Sequence, residues 1–186
     1  MDITKNPWTI HSSEVRYDNN WIQVIHHEGL NPAGGPGIYG VVHFKNLAIG
    51  IVALDDQQNI YLVGQYRFPL KKFSWEIPEG GGPLGEYPLD TAKRELLEET
   101  GLIAHHWEVI CETALSNSVS DETGVIFLAR QLEQREAEPE ETEQLLVKKI
   151  PFEEAYQMVK NYDITDSLSV MAIQKIKLMM LEGELV

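Results

Sequence analysis

The stretch from Gly80 to Leu102, GGGPLGEYPLDTAKRELLEETGL, constrains this chain most, because a glycine-rich segment runs directly into a helical pattern. A proline at the start and a glycine just past the end are typical of helix boundaries, so the spacing predicts a helix over Pro88–Thr100 that stops at Gly101. Its apolar positions repeat at helical spacing and predict the face that packs on a sheet. These positions are Leu89, Ala92 and Leu96.

Three glutamates of the same helix, Glu95, Glu98 and Glu99, are spaced i, i+3 and i+4 and therefore share one helical face. Carboxylates this close repel one another unless a cation lies among them. Oxygen ligands without His or Cys suit hard divalent ions, which also bridge to phosphate oxygens. We expect these carboxylates to point away from the sheet, and the three glutamates alone would fit a solvated acidic face better than a metal site. The residues around the three glutamates favour a metal site over a solvated face.

The whole stretch resembles the Nudix box. That pattern is Gly, five residues, Glu, seven residues, Arg-Glu, an aliphatic residue, any residue, Glu-Glu, any residue, Gly and an aliphatic residue. Every fixed position matches, and the matching residues are Gly80, Glu86, Arg94, Glu95, Leu96, Glu98, Glu99, Gly101 and Leu102. The resemblance implies a Nudix hydrolase of the α+β class, in which a mixed β-sheet lies between helices.

The resemblance also implies a role for each residue of the motif. Glu95 and Glu99 would be the principal metal ligands, Glu98 would assist, and the backbone carbonyl of Glu79 would complete the coordination. The implied cofactor is Mg²⁺, for which Mn²⁺ can substitute. The other fixed positions would be structural, with the arginine orienting a box glutamate and the first glycine allowing a tight turn; they are Gly80, Glu86, Arg94 and Gly101.

Two segments before the box narrow the resemblance to one branch of the family. Gln65-Tyr66-Arg67-Phe68-Pro69 and Trp75-Glu76-Ile77-Pro78-Glu79-Gly80 are similar to segments of ADP-ribose and nucleoside diphosphate sugar pyrophosphatases. By that resemblance Arg67 would neutralise the substrate diphosphate, for which a guanidinium offers a fork of donors. Glu76 would lie near the metal site and hold Arg67.

The chain before the box reads as short strands, and the chain after it as strands followed by helices. We expect residues 1–45 to form an antiparallel β-rich lobe and residues 46–186 to form the hydrolase domain. This segregation of strands and helices predicts α+β rather than repeated βαβ units. Two apolar runs, Leu47–Leu54 and Ile60–Gln65, predict a hairpin. The other predicted elements are strands over Val15–Tyr17, Trp21–His26, Gly37–Phe44, Trp107–Ala114, Gly124–Arg130 and Gln144–Ile150, and helices over Phe152–Lys160 and Asp166–Leu181.

Three further site residues follow from the resemblance. The related branch uses its N-terminal lobe to form a homodimer and to lend aromatic residues to the base pocket, so Trp21 is the candidate for stacking on the base. A glutamate of the acidic loop Gln131–Gln144 would activate the attacking water. Counting back from the next helix favours Glu141, and two neighbouring glutamates stay open as alternatives, Glu140 and Glu143. Glu122 falls where similar enzymes keep a glutamate close to the substrate.

The expected reaction is hydrolysis of the diphosphate bridge of a nucleoside diphosphate sugar to a nucleoside monophosphate and a sugar phosphate. Asn117 stands where the ADP-ribose branch commonly has a proline, so the substrate stays open between ADP-ribose and a nucleoside diphosphate hexose such as GDP-mannose. A catalytically silent Nudix domain that senses a nucleotide sugar is the other alternative. The complete set of box carboxylates disfavours it.

The charge of the chain excludes long polyanions as partners. Twenty-nine acidic side chains against fifteen basic ones give a formal net charge of −14, which repels nucleic acid. No apolar run approaches the roughly 20 residues of a membrane-spanning helix. The N-terminus lacks the pattern of a secretory signal, which predicts a cytoplasmic location and a small-molecule substrate.

Overall fold

The computed structural model describes residues 4–135 and 145–185. The described chain forms two compact units. The first runs to Asn46 and includes Ala114–Thr123, and the second comprises Leu47–Thr113 and the chain from Gly124 onward. The elements are β1 (Thr9–Asp18), β2 (Ile22–Leu30), β3 (Pro36–Phe44), β4 (Asn46–Ala53), β5 (Asn59–Arg67), β6 (Lys72–Glu76), β7 (Glu79–Pro83), α1 (Pro88–Thr100), β8 (Leu102–Ala114), β9 (Thr123–Gln134), β10 (Leu146–Pro151), α2 (Phe152–Lys160) and α3 (Ser167–Glu182).

The first unit is an antiparallel sheet in the order β1-β2-β3. Ile25 of β2 lies opposite Val15 on one side and Val41 on the other. The segment Leu115–Glu122 is tied to β3, because Val42 donates its N–H to the carbonyl of Val119. No described residue of this unit is buried, and every residue of β1 is exposed.

The second unit holds a four-stranded sheet in the order β7-β4-β9-β8, in which β4 and β9 run parallel, and a three-stranded sheet in the order β10-β5-β6. Side chains of β4 alternate between two faces. Ile51 and its neighbours pack on Leu96 of α1, whereas Gly50 faces Leu168 of α3. A mixed sheet therefore lies between helices, as predicted for the α+β class.

The predicted hairpin of Leu47–Leu54 and Ile60–Gln65 is wrong. β4 pairs with β7 and β9, while β5 pairs with β10 and β6, so the two runs belong to different sheets. A single bridge between Leu54 and Ile60 joins them. Both runs are largely buried and continuously apolar in sequence. Such a pattern indicates that a segment is a strand, but it does not indicate which other strand the segment pairs with.

The helices follow their end signals. α1 begins at Pro88 and ends at Gly101, whose φ of 70° lets its N–H reach the carbonyl of Leu97. The predicted bounds of α1 and α2 are confirmed. The last helix starts one residue later than predicted, because Asp166 caps it by accepting a hydrogen bond from the N–H of Ser169. Within the described part of the chain, no helix is long and apolar enough to span a membrane.

Candidate active site

The segment that enters the glycine-rich stretch is held from three sides by its backbone. The N–H of Ile77 donates to Oγ of Ser169 in α3 at 2.9 Å. The carbonyl of Pro78 accepts from the N–H of Ile51 in β4 at 2.8 Å. The N–H of Glu79 donates to a carboxylate oxygen of Glu99 in α1 at 3.0 Å. Two helices and a strand therefore fix the backbone that leads to Gly80.

β7 approaches α1 so closely that two of its positions have no room for a side chain. A Cβ on Gly80 would lie 2.1 Å from Cδ of Glu95, and a Cβ on Gly82 would lie 2.5 Å from Oγ1 of Thr91. Glycine is disfavoured in strands, and no strand is predicted from the sequence over this glycine-rich stretch. The strand was missed because its glycines serve a close approach that local sequence does not reveal.

The box carboxylates gather at this contact. Arg94 forms ion pairs with Glu95 at 2.7 Å and with Glu98 at 2.8 Å, so one guanidinium orients two glutamates. Glu99 is only 4% exposed. The expectation that all three carboxylates point away from the packed face is therefore wrong for Glu99. The cause is helical geometry, since Glu99 lies three residues after the buried Leu96 and adjoins the same face.

Arg67 is surrounded by carboxylates of the segment that enters the glycine-rich stretch. Its Nε donates to both oxygens of Glu76 at 2.9 and 3.0 Å, and its Nη2 donates to Glu76 at 2.6 Å and also to Glu79. Glu76 is 1% exposed. Burial lowers the pKa of Arg67, but the bonds to Glu76 and the charge of Glu79 outweigh it and raise that pKa. Arg67 therefore stays charged, and its Nη1 takes no part in these bonds.

Asp166 is a further acidic residue that sequence reasoning did not assign to the site. Glu76, Glu79 and Asp166 each present an oxygen, and these oxygens lie within 4.8 Å of one another. Burial, followed by the charges of Asp166 and Glu76, raises the pKa of Glu79 well above its usual range. Asp166 was predicted only as the start of a helix, and no local pattern could place it beside residues some 90 positions earlier in the chain.

The donor set fits a hard divalent cation. Its side chains are carboxylates, and no described histidine or cysteine lies among them. The carboxylates outnumber the two guanidinium groups of Arg67 and Arg94. These features favour a bound cation among the carboxylates.

The remaining predicted residues belong to other parts of the chain. Glu86 is exposed in the loop before α1. Trp21, which is 64% exposed, and Glu122, whose pKa is raised by partial burial, belong to the first unit. Glu141 and its alternatives Glu140 and Glu143 lie outside the described residues.

Two family models match the chain. Residues 44–168 match the NUDIX domain, and residues 8–42 match the nucleoside diphosphate sugar hydrolase N-terminal domain. The first match covers the glycine-rich strand, α1 and most of the second unit.

Several known proteins are similar over most of their length. An ADP-ribose pyrophosphatase of Mycobacterium tuberculosis is 37% identical over 147 residues, which cover 76% of this chain and 70% of that protein. An ADP-ribose pyrophosphatase of Bacillus subtilis is 35% identical, and a methanol dehydrogenase activator of Bacillus methanolicus is 36% identical; each match covers 70% of this chain and 72% of the relative. A crystal structure of an ADP compounds hydrolase superimposes with a TM-score of 0.84 at 21% identity, over 95% of both chains, and shows the same fold.

Proposed function

The chain belongs to the NUDIX domain family, and from this premise we propose that it hydrolyses the diphosphate bridge of ADP-ribose or a related nucleoside diphosphate sugar. The products would be a nucleoside monophosphate and a sugar phosphate. The observation that carries the proposal is the contact of β7 with α1, where the space beside Gly80 is filled by the carboxyl group of Glu95 and the backbone of Glu79 meets Glu99. The sequence-based assignment to the family is confirmed.

Mg²⁺ is the proposed cofactor, and Mn²⁺ is its expected substitute. Glu95, Glu98 and Glu99 would hold it through their carboxylates, and Glu79 through its backbone carbonyl. When bound, the ion supplies positive charge to the diphosphate and lowers the pKa of an attacking water. The side chain of Glu79 faces Arg67 and does not need to reach the ion itself.

Arg67 is proposed to bind the diphosphate with the part of its guanidinium that Glu76 and Glu79 leave free. Those two glutamates engage Nε and Nη2, so they fix the orientation of the group and leave Nη1 available. A guanidinium held in this way stabilises charge that develops in the transition state without having to reorganise. Glu76 is thus a positioning residue in this proposal.

Three further roles belong to the same proposal. Glu141 would accept the proton of the attacking water. Trp21 would stack on the base, and Glu122 would lie close to the substrate. Residues 1–45 would serve as the lobe that contributes to the base pocket, and residues 46–186 as the catalytic domain.

ADP-ribose is the first substrate to test, since two relatives at 35% and 37% identity are ADP-ribose pyrophosphatases. The alternative is a nucleoside diphosphate hexose such as GDP-mannose. Asn117 supports testing it, because this exposed residue replaces the proline that is common in the ADP-ribose branch.

We also propose that the protein is a homodimer joined through its first unit. A three-stranded sheet normally needs a covered hydrophobic face to be stable, yet none of the described side chains of this unit is buried. Its exposed apolar residues include several on β1, an edge strand. They are Ile10, Val15 and Tyr17. A second copy of the chain would cover them.

The test of the activity is a substrate panel. The protein is incubated with ADP-ribose, GDP-mannose, UDP-glucose and NADH, each with Mg²⁺ or with EDTA, and products are separated by anion-exchange chromatography. We expect AMP and ribose 5-phosphate from ADP-ribose, only with Mg²⁺. Binding of ADP-ribose without metal-dependent turnover would support the sensor alternative instead.

A further inference from the structure

We propose that Ser169, in the first turn of α3, is a positioning residue for the metal site; the inference rests on the proposed function. Ser169 is 0% exposed, and its Oγ accepts a hydrogen bond from the N–H of Ile77. The two residues are 92 positions apart in the chain. Ile77 directly follows Glu76, the last residue of β6, and lies three residues before Gly80 of β7, so this bond holds the connection between the two strands that carry the site.

The N–H of Ile77 has little alternative to this bond. Ile77 is itself 0% exposed, and a buried N–H without a partner is costly enough that the backbone moves to find one. Glu76 and Glu79 are within two residues of it. A shift of the segment would therefore move the carboxylates that hold Arg67, together with the Glu79 backbone that meets Glu99.

Asp166 holds Ser169 in turn. Its carboxylate accepts from the N–H of Ser169 at 2.8 Å, and one of its oxygens lies within 4.8 Å of oxygens of Glu76 and Glu79. Ser169 is thus fixed at its own backbone by Asp166 and fixes Ile77 with its side chain. The first turn of α3 is part of the scaffold of the active site, although it lies far from the box in sequence.

A purely structural role for Ser169 would change stability and leave metal affinity alone. A positioning role predicts weaker metal binding by protein that is still folded, because residues that orient metal ligands typically change affinity by about 10- to 100-fold when they are mutated. Binding of Mn²⁺ alone, measured by the electron paramagnetic resonance of the free ion, separates the two without any measurement of activity.

The experiment compares wild type with Ser169→Ala, Ser169→Cys and Ser169→Thr at a temperature where all are folded. We expect the Mn²⁺ dissociation constant of Ser169→Ala to rise at least about tenfold, and that of Ser169→Thr, which keeps the hydroxyl, to stay within about threefold of wild type. Cysteine is a weak hydrogen-bond acceptor of nearly the same size, so the Mn²⁺ dissociation constant of Ser169→Cys is expected to lie between those of the other two variants. Ser169→Cys takes the place of the alanine variant if that variant does not fold.

Ile176→Val is the matched control, because Ile176 is also 0% exposed in α3 but lies two turns away. It is expected to lower stability and leave Mn²⁺ binding unchanged. If folded Ser169→Ala binds Mn²⁺ as tightly as wild type, the role of Ser169 is overturned and the proposed function is not. The same holds if Ile176→Val weakens Mn²⁺ binding as much as Ser169→Ala does. Failure of wild type to bind Mn²⁺ would overturn the proposed function as well.

Discussion

At the scale of single residues, the site depends on a glycine position that has no room for a Cβ atom. Gly80→Ala would place a Cβ 2.1 Å from Cδ of Glu95 and would force that carboxylate away. We expect kcat/KM for ADP-ribose to fall at least about 100-fold, since small displacements of catalytic groups have effects of that size. Steady-state kinetics with saturating Mg²⁺ checks this.

Gly40→Ala is the control for the same chemical change. A Cβ on Gly40, in β3, would meet nothing within 4 Å. Its activity should stay within about twofold of wild type. Equal losses of activity in both variants would show that the close approach at Gly80 is not the cause.

A second prediction concerns Asp55, whose side chain is 11% exposed and paired with Lys149 at 2.6 Å. Burial raises the pKa of Asp55, but hydrogen bonds from Lys149 and Asn59 outweigh it and lower the pKa to about 2. The folded state thus binds this proton less readily than the unfolded chain, so the stabilisation is complete above about pH 5 and is lost as the pH falls toward 2.

Urea unfolding at about pH 6 and about pH 3 tests this. Wild type should lose about 1 kcal/mol more free energy of unfolding between these pH values than Asp55→Asn, which carries no titrating group there. Identical losses in the two proteins would mean that the pKa of Asp55 is not lowered by folding.

Residues that repeat a local pattern could be predicted, whereas residues that act through tertiary contacts could not. The nine fixed positions of the box identify the family, because their spacing is local. Ser169 and Asp166 carry no such signal, since their partners Ile77 and Glu79 lie far from them in the sequence. The sequence resemblance implied that Glu76 holds Arg67, but the hydrogen bond from Arg67 to the side chain of Glu79 is a tertiary contact that no local pattern predicts.

At the scale of elements, the end of α1 links helix geometry to the site. Gly101 and Gly183 both end helices in the left-handed region, at φ of 70° and 75°. Alanine is strained there, so both Gly101→Ala and Gly183→Ala should lower stability by about 1 kcal/mol. Only Gly101→Ala should also reduce activity, because it directly follows the helix turn that carries Glu98 and Glu99.

Chemical denaturation and kinetics on both variants make this comparison. A reduction of kcat by Gly101→Ala of at least about tenfold, beside an unchanged kcat for Gly183→Ala, is the expected result. If kcat falls in both variants in proportion to their loss of stability, the end of α1 has no special role in activity.

Helices were predictable from their ends, and sheet pairing was not. Pro88 and Gly101 bound α1 as expected, because helix signals are local. The partners of β4 and β5 were misjudged, since buried apolar strands carry no information about which neighbour they pair with. β7 was missed because the contact with α1 requires glycines where strand propensity favours larger residues.

At the scale of the whole molecule, the first unit predicts the oligomeric state. We expect a mass of twice 21.1 kDa by sedimentation equilibrium. Val15→Asp should shift the protein toward monomer, because a charge among the exposed apolar side chains of β1 disfavours their burial against a second copy. Leu181→Asp, at a 74% exposed position of α3, is the control and should leave the dimer intact. A wild-type monomer at micromolar concentration would contradict the proposed assembly.

The most direct test of the central claim is the hydrolysis of ADP-ribose by wild type and Glu99→Gln with saturating Mg²⁺. The substitution keeps the size of the side chain and its acceptor for the N–H of Glu79, but it removes the negative charge proposed to hold the metal. We expect AMP and ribose 5-phosphate from wild type, no turnover in EDTA, and a kcat at least about 100-fold lower for Glu99→Gln. Undiminished turnover by Glu99→Gln, or turnover by wild type in EDTA, would contradict it.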